Sequence, residues 1–363
     1  MKIILGVAGV LALIGTCFAC LSIYAKKEIN KPRFEIPEII EEQPVSALPA
    51  TKEEAFDYVS ALYVKTVTAD DVEESLHTDV HLTEGEKTTP LSDTDSELFS
   101  RVLEKAQGGI SALYPSNENT LVTRSKDIPP LGFTKADVTD FTATRGYIDE
   151  NGETVEDGNY YITLTVKPEK IDKKAILDGE VLKNVEKELA SVLTVSSLDI
   201  VPEGFTVSFK IAYYNDLLVH TEFKRNVVIK AAVAFTDAYK ALGEGENEQF
   251  ELPYETVQSI DFFNYGIHFT SRQLALQKSD MQALPLEVRV NSNATKEDYK
   301  LTFDVSKDGL LEIDKDGVMT VKGAQEEPVT VTATLEYDGH TYSDSLIVYA
   351  TEMEVKTDEP AGN

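Results

Sequence analysis

The sequence predicts an α+β N-terminal domain, with helices packed on an antiparallel sheet, followed by an all-β domain. Three observations carry that prediction. Apolar residues recur at helical spacing behind capping boxes at Thr51 and Thr94. After about residue 135 the apolar period switches to two. Beyond residue 266 every apolar run is short and bounded by turns such as Asp308-Gly309 and Asp338-Gly339. A chain of 363 residues is long enough for two or three units, each with its own core.

Residues 1–27 hold an uncharged apolar run, Ile3 to Tyr24, bounded by Lys2, Lys26 and Lys27. As a helix it would extend about 33 Å, enough to cross a bilayer. Two readings stay open, an uncleaved signal-anchor and a signal peptide removed on export, because neither Ala19 nor Ala25 ends a clean small-x-small site. Cys20 after Ala19 also leaves a lipid-anchored form open. Residues 28–50 carry Pro32, Pro37, Pro44 and Pro49 among glutamates, which predicts an extended Pro/Glu-rich stalk.

Residues 51–265 form the predicted α+β domain. Thr51-Lys-Glu-Glu54 caps a helix with Ala55, Phe56, Val59, Leu62 and Tyr63 on one face. A second helix begins near Thr94 and presents Leu98, Phe99, Val102, Leu103 and Ala106. Tyr160, Ile162, Leu164 and Val166 alternate as a strand, and a helix is expected from about Asp172 to Leu193. Further strands are read at Phe205–Tyr213, Leu217–Arg225, Val227–Phe235 and Phe250–Tyr265.

Residues 266–350 read as seven short strands, the pattern of a β-sandwich. Their landmarks are Leu274-Ala-Leu276, Leu284 to Val290, Asn293-Ala294-Thr295, Leu301 to Ser306, Ile313-Asp314-Lys-Asp-Gly317 and Val329 to Thr334. In that order they resemble the bacterial Ig-like group 2 family of intimin- and invasin-type surface proteins, over residues 267–350. The resemblance implies an Ig-like sandwich used for spacing, adhesion or glycan contact, without catalytic residues. Phe303 stands where that family has Trp, and is expected to plug the core between outward Thr302 and Asp304. Glu326-Glu327-Pro328 replaces a turn glycine of the family. Residues 351–363 read as a disordered acidic tail.

Acidic residues number 63 against 34 basic ones, a net charge of −29 that repels phosphate backbones and excludes nucleic acid as the leading partner. Both cysteines, Cys17 and Cys20, lie in the N-terminal run, so the body is expected to hold neither a disulfide framework nor a zinc ribbon. Basic residues after the run (Lys26, Lys27, Lys31, Arg33) mildly favour a cytoplasmic body by charge alone. The extracellular type of the C-terminal module decides for export.

No cluster rises to a catalytic, cofactor or metal site. His77 and His81 lie four apart but lack the glutamate of a zinc-protease motif. Asp93, Asp95 and Glu97 alternate as in a calcium loop, yet they sit at a helix start, where acids complement the dipole. Asp149-Glu-Asn151-Gly152 reads as a turn, and His220, His268 and His340 each stand alone in strand-like context. Tyr160-Tyr161, Tyr213-Tyr214 and Phe262-Phe263 would each give one core ring and one outer ring. The expected function is therefore non-enzymatic: an exported, membrane-tethered bacterial surface protein with a spacing, adhesion or envelope-binding role. Its expected partners are the membrane and an envelope glycan or surface protein. Two alternatives remain: a carrier of an apolar ligand or lipid in the α+β domain, and an extracytoplasmic hydrolase with an Ig-like accessory domain.

Overall fold

The computed structural model describes residues 33–37, 44–82, 93–111, 121–122, 128–176, 179–242 and 248–355. The expected membrane segment, the lipidation site at Cys20 and the glycine-glutamate loop at 243–247 lie outside these. Among the described residues no helix is long and apolar enough to cross a membrane. The chain is mostly β, with few helices and several sheets, and separates into two units, one at 42–264 and one joining 33–37 to 265–355.

In chain order the elements up to residue 264 are β1 (Arg33–Phe34), α1 (Lys52–Thr68), β2 (Val72–Leu82), α2 (Asp93–Ser111), β3 (Leu121–Val122), β4 (Val138–Ile148), β5 (Thr154–Val166), α3 (Lys173–Ile176), α4 (Gly179–Leu189), β6 (Leu193–Ala212), β7 (Leu217–Phe235) and β8 (Glu248–Asn264). Apart from β1, the strands form one antiparallel sheet in the order β3-β2-β8-β7-β6-β5-β4. Alternation makes it one-sided. Residues 221, 223, 225, 227 and 229 of β7 and residues 254, 256, 260 and 262 of β8 point to the buried face, while Lys230, Glu251 and Asp261 face solvent.

α1 begins as expected: Thr51 Oγ1 accepts from Glu54 N and the Glu54 carboxylate accepts from Thr51 N. Its buried face meets β4, β5 and β7, and Tyr63 packs edge-on against Phe209, Phe223 and Phe262. α2 and α4 pack together over a second apolar cluster, built on Val233 and Phe235 of β7 and Phe250 of β8. Their close approach needs a glycine, since a Cβ on Gly109 would lie 3.2 Å from the Val185 Cα.

Three expectations for this unit need correction. The helix expected at 172–193 is two pieces, Lys173–Ile176 and Gly179–Leu189, and β6 has begun by Leu193. β7 is a single strand of 19 residues where two were expected. β6 continues through Pro202, which the sequence pattern had left outside any strand. Bulges explain β6, while β7 alternates without a break from Thr221 through Asn226 to Ile229. The β6–β7 register shifts at Val195/Ser197, Pro202/Gly204 and Lys210/Ile211, and each shift resets the alternation while keeping apolar side chains inward.

The second unit contains β9 (Gly266–Phe269), β10 (Gln273–Gln277), β11 (Met281–Ala283), β12 (Leu286–Arg289), β13 (Tyr299–Val305), β14 (Leu311–Ile313), β15 (Val318–Val321), β16 (Val329–Tyr337), β17 (His340–Thr351) and β18 (Glu354–Val355). A four-stranded sheet, β10-β17-β16-β13, and a three-stranded sheet, β11-β15-β14, both contribute to one apolar core, from Met319 and Val321 on one side to Val331 and Leu346 on the other. The Asp338-Gly339 turn between β16 and β17 has φ of 47° and 82°, the left-handed pair that a two-residue hairpin requires. Phe303 points inward as expected but is only half-buried, because β13 is the edge strand of its sheet.

The expected stalk and tail have docked parts. Arg33 and Phe34 pair in parallel with Glu354 and Val355, and the Phe34 ring lies 5.7 Å from Tyr349. Val45 N donates to Tyr213 O at 2.9 Å, and Leu48 packs on the first core. Residues 38–43 and 356–363 lie outside the described set. Arg33–Phe34 and Glu354–Val355 satisfy each other's backbone groups as a two-stranded sheet of their own.

Burial ranks two substitutions. Leu346→Ala, in the core of the four-stranded sheet, is expected to cost about 3 kcal/mol, and Phe303→Ala about 2 kcal/mol because part of its surface is already exposed. Denaturant midpoints of the full chain check this, and a larger loss for Phe303→Ala would show that β13 is more enclosed than its edge position implies. A pH effect is expected at Asp137. Its carboxylate accepts from Thr134 N at 2.9 Å and Thr134 Oγ1 at 2.7 Å, with Lys170 Nζ at 3.3 Å, and these bonds hold its pKa below the usual carboxylate range. A depressed folded-state pKa contributes stability that is complete above the unfolded value, about 3.9, and is lost as pH falls further. Carboxyl-carbon NMR should therefore place the Asp137 midpoint below that of a free aspartate, and a normal midpoint would contradict the network.

Candidate ligand site

The buried face of the seven-stranded sheet carries two features absent from ordinary cores. The first is an apolar hollow of about 90 Å³ between α2, α4 and the sheet. α2 supplies Phe99, Val102 and Ala106, α4 supplies Val185 and Leu189, and the sheet supplies Leu82, Leu198, Ile229, Val233 and Leu252. Among the described residues, every one that lines it is apolar. Phe99 stacks on Phe250 at 5.2 Å, and Phe235 meets Phe250 edge-on at 5.8 Å, so one end of the hollow is walled by rings.

Polar clamps outside the hollow hold the helices over it. Gln107 of α2 spans two positions of β2, accepting from Leu82 N and donating to Val80 O, each at 2.7 Å. Asn184 of α4 donates to Gly109 O of α2 at 2.8 Å. These bonds fix the helices by their edges. Apolar packing alone is left to close the space between them.

The second feature is Arg225 on the same face of β7. It pairs in register with Phe205 of β6 and Thr256 of β8. Burial is the main influence on the guanidinium and pulls its pKa down, opposed by Tyr63 and Asp172. The Tyr63 hydroxyl donates to Pro129 O, and burial, followed by the Glu74 charge, pushes its pKa up.

A third cluster closes the β6–β7 turn. Asp216, at φ 50°, accepts from Ser46 Oγ and from Tyr58 Oη, the latter at 2.7 Å. Arg145 lies over the Tyr213 ring at 4.8 Å. Tyr160 Oη donates to Ser46 O at 3.1 Å. Burial first, then the bond to Asp216, raises the Tyr58 pKa. This cluster ties residues 45–48 to the sheet, and its hydroxyls are committed to that task.

The residues singled out in the sequence are scattered. His77 and His81 lie on strand β2, not a helix; His77 Nε2 is 3.0 Å from Asp79 and His81 is exposed. Glu97 pairs with Arg101 at 2.7 Å, while the side chains of Asp93 and Asp95 lie outside the described set. Asp149 accepts from Asn151 N and Glu153 N and so builds the β4–β5 turn. His220 meets Asp261 at 2.7 Å, His268 meets Asp344 at 3.3 Å, and His340 stacks on Tyr342. Among the described residues no group of three such side chains is arranged to hold a metal ion. In each aromatic pair one ring is buried (Tyr160, Tyr213, Phe262) and its neighbour is less so, but Tyr213 and Tyr214 lie in the turn after β6 with ring centres 4.4 Å apart and do not take opposite faces of a strand. No family model matches the chain, and no curated protein matches it in sequence.

Sequence reasoning missed Arg225. Its signal was available: a lone basic residue at an inward position of an alternating strand, between Phe223 and Val227. A dry apolar hollow is expected to admit xenon. Xenon at moderate pressure should shift the methyl resonances of Leu189, Val233 and Leu252 saturably, and Ala231→Leu should abolish the shift by filling the space. A non-saturable response spread over the surface would mean that no hollow exists in solution.

Proposed function

We propose that the chain is an exported, membrane-tethered bacterial envelope protein that binds an apolar ligand without transforming it. In this reading residues 51–265 are an α+β domain with the ligand between helices and sheet. Residues 266–350 are an Ig-like sandwich that spaces the domain or engages the envelope. One observation carries the ligand reading, the hollow whose walls are wholly apolar. Such a space offers dispersion contacts and removes apolar surface from water, while presenting no group that would orient a reaction. The uncharged run at Ile3–Tyr24 supports the tether.

A feature of the second unit favours an additional contact with a partner. A groove of about 550 Å³ is lined by Leu286, Val288, Tyr299 and Phe303 and by Lys296, Lys300, Lys315 and Asp316, with Lys296 paired to Asp316 at 3.1 Å and Lys300 to Glu336 at 3.0 Å. An aromatic floor beside a rim of mixed charge suits an envelope glycan or surface protein.

The ligand reading is checked with 1-hexanol on the full chain in phospholipid nanodiscs, empty nanodiscs serving as the blank. Saturable methyl shifts confined to the residues around the hollow are expected, and Ala231→Leu should weaken binding about tenfold. Partitioning without saturation would leave the adhesion role alone.

A further inference from the structure

β13 ends the four-stranded sheet of the second unit. One side pairs with β16, and among the described residues no strand pairs with the other. Ser306 N donates to Thr330 O at 2.9 Å, where the β13–β16 register continues past Val305. Antiparallel ladders alternate, so residues 304, 302 and 300 also turn their backbone groups towards β16. Tyr299, Leu301, Phe303 and Val305 therefore present their N–H and C=O groups to the open side. Their side chains point to the core face but are only half-buried, while Val331, Ala333 and Leu335 across from them on β16 are fully buried. Tyr299, Leu301 and Phe303 also line the groove of this unit.

Open edges are ordinarily blunted by bulges or by charge. β4, at one end of the seven-stranded sheet, is interrupted by register shifts at Val138/Asp140 and Arg145/Tyr147. β13 instead pairs over seven residues without a shift. Its exposed face carries Lys300, Thr302 and Asp304. Lys300 Nζ donates to Glu336 Oε1 at 3.0 Å, whereas Asp304 has no ion pair among the described residues.

The order of these residues is self-complementary. When a second β13 lies antiparallel to the first about Thr302, Lys300 meets Asp304 on both sides of the dyad. Leu301 then meets Phe303, Tyr299 meets Val305, and Thr302 meets its own copy. Residues 299, 301, 303 and 305, whose backbone groups face the open side, fall opposite one another, as an antiparallel ladder requires. Neighbouring registers lose this match. Centring on Phe303 sets Lys300 against Ser306, and centring on Leu301 sets Asp304 against Asp298. Opposite charges directly across a ladder stabilise it, and like charges do the reverse.

We propose that β13 is a self-association edge, through which two copies of the chain join their second units antiparallel about Thr302. The partner is thus a second copy, whose Leu301 and Phe303 cover the half-buried Phe303 and Leu301 of the first. Lys300 comes to lie between Glu336 of its own sheet and Asp304 of the other copy. This names a partner for the surface beside the groove and stands apart from the apolar-ligand reading. With one strand contributed by each copy the interface is small, so the dimer is expected to form at micromolar concentrations and above.

The test is disulfide cross-linking of the full chain in dodecylmaltoside micelles, oxidised with copper phenanthroline. Cys17→Ser and Cys20→Ser leave one introduced cysteine as the single thiol. Across the dyad the two Cα atoms at position 302 lie about 4.5 Å apart, within reach of a disulfide. Two copies of position 300 are four residues out of register, about 14 Å. Thr302→Cys is therefore expected to give covalent dimers. Lys300→Cys and Asp304→Cys should give none separately and should cross-link when mixed. Asp304→Lys in the Thr302→Cys chain sets like charges across the dyad and should slow cross-linking about fivefold, and adding Lys300→Asp should restore the rate. All three positions are exposed, and circular dichroism checks that each variant is folded. Equal yields at positions 300, 302 and 304 would place the contact in the N-terminal apolar run and overturn the proposal. So would the absence of a cross-link at 302, or a rate unmoved by Asp304→Lys. None of these results bears on the apolar-ligand reading, which 1-hexanol tests separately.

Discussion

A mismatch of lengths governs the N-terminal unit. β6 and β7 run for 20 and 19 residues, about 60 Å of paired strand, and one face of that ribbon is apolar apart from Thr221 and Arg225. α1, with 17 residues, is about 26 Å long. No single helix of that size covers such a face. The chain answers with a second pair, α2 and α4, placed over the far end of the same face. The buried apolar residues accordingly separate into two clusters, with Leu82, Val185 and Leu252 packed against both.

Space is left where the covers do not fit closely. The hollow has Leu82, Leu252 and Ile229 on its wall, the residues nearest the junction of the clusters. Bulges curve the sheet there, and Gln107 and Asn184 fix the helices by their margins. The hollow thus has one cause, an inward face longer than its cover.

How legible this was depended on periodicity. Where alternation runs unbroken, as at Tyr160–Val166 and Tyr299–Val305, the strands stand as read, and the pairs Tyr160-Tyr161 and Phe262-Phe263 divide into an inner and an outer ring, whereas Tyr213 and Tyr214 lie in the turn after β6 with their ring centres 4.4 Å apart. Where a bulge resets the phase, the pattern fragments. Glu203 sits as an extra residue between Pro202 and Gly204, so the part of β6 before Phe205 was not read as strand. The capping box at Thr51 was readable because its signal is local. Docking of Arg33 and Phe34 onto Glu354 and Val355 was not, since parallel pairing between residues 321 positions apart leaves no trace in spacing. The hollow was invisible for a similar reason: Leu82, Val185 and Leu252 belong to three separate elements.

Hydrogen exchange on the full chain with and without 1-hexanol tests most directly whether the junction of the two covers is where a ligand lodges. Occupancy there should slow exchange in the peptides of α2 and α4, which close the hollow, and leave α1 and the second unit at their original rates. Protection spread evenly over both units, or confined to α1, would contradict that account.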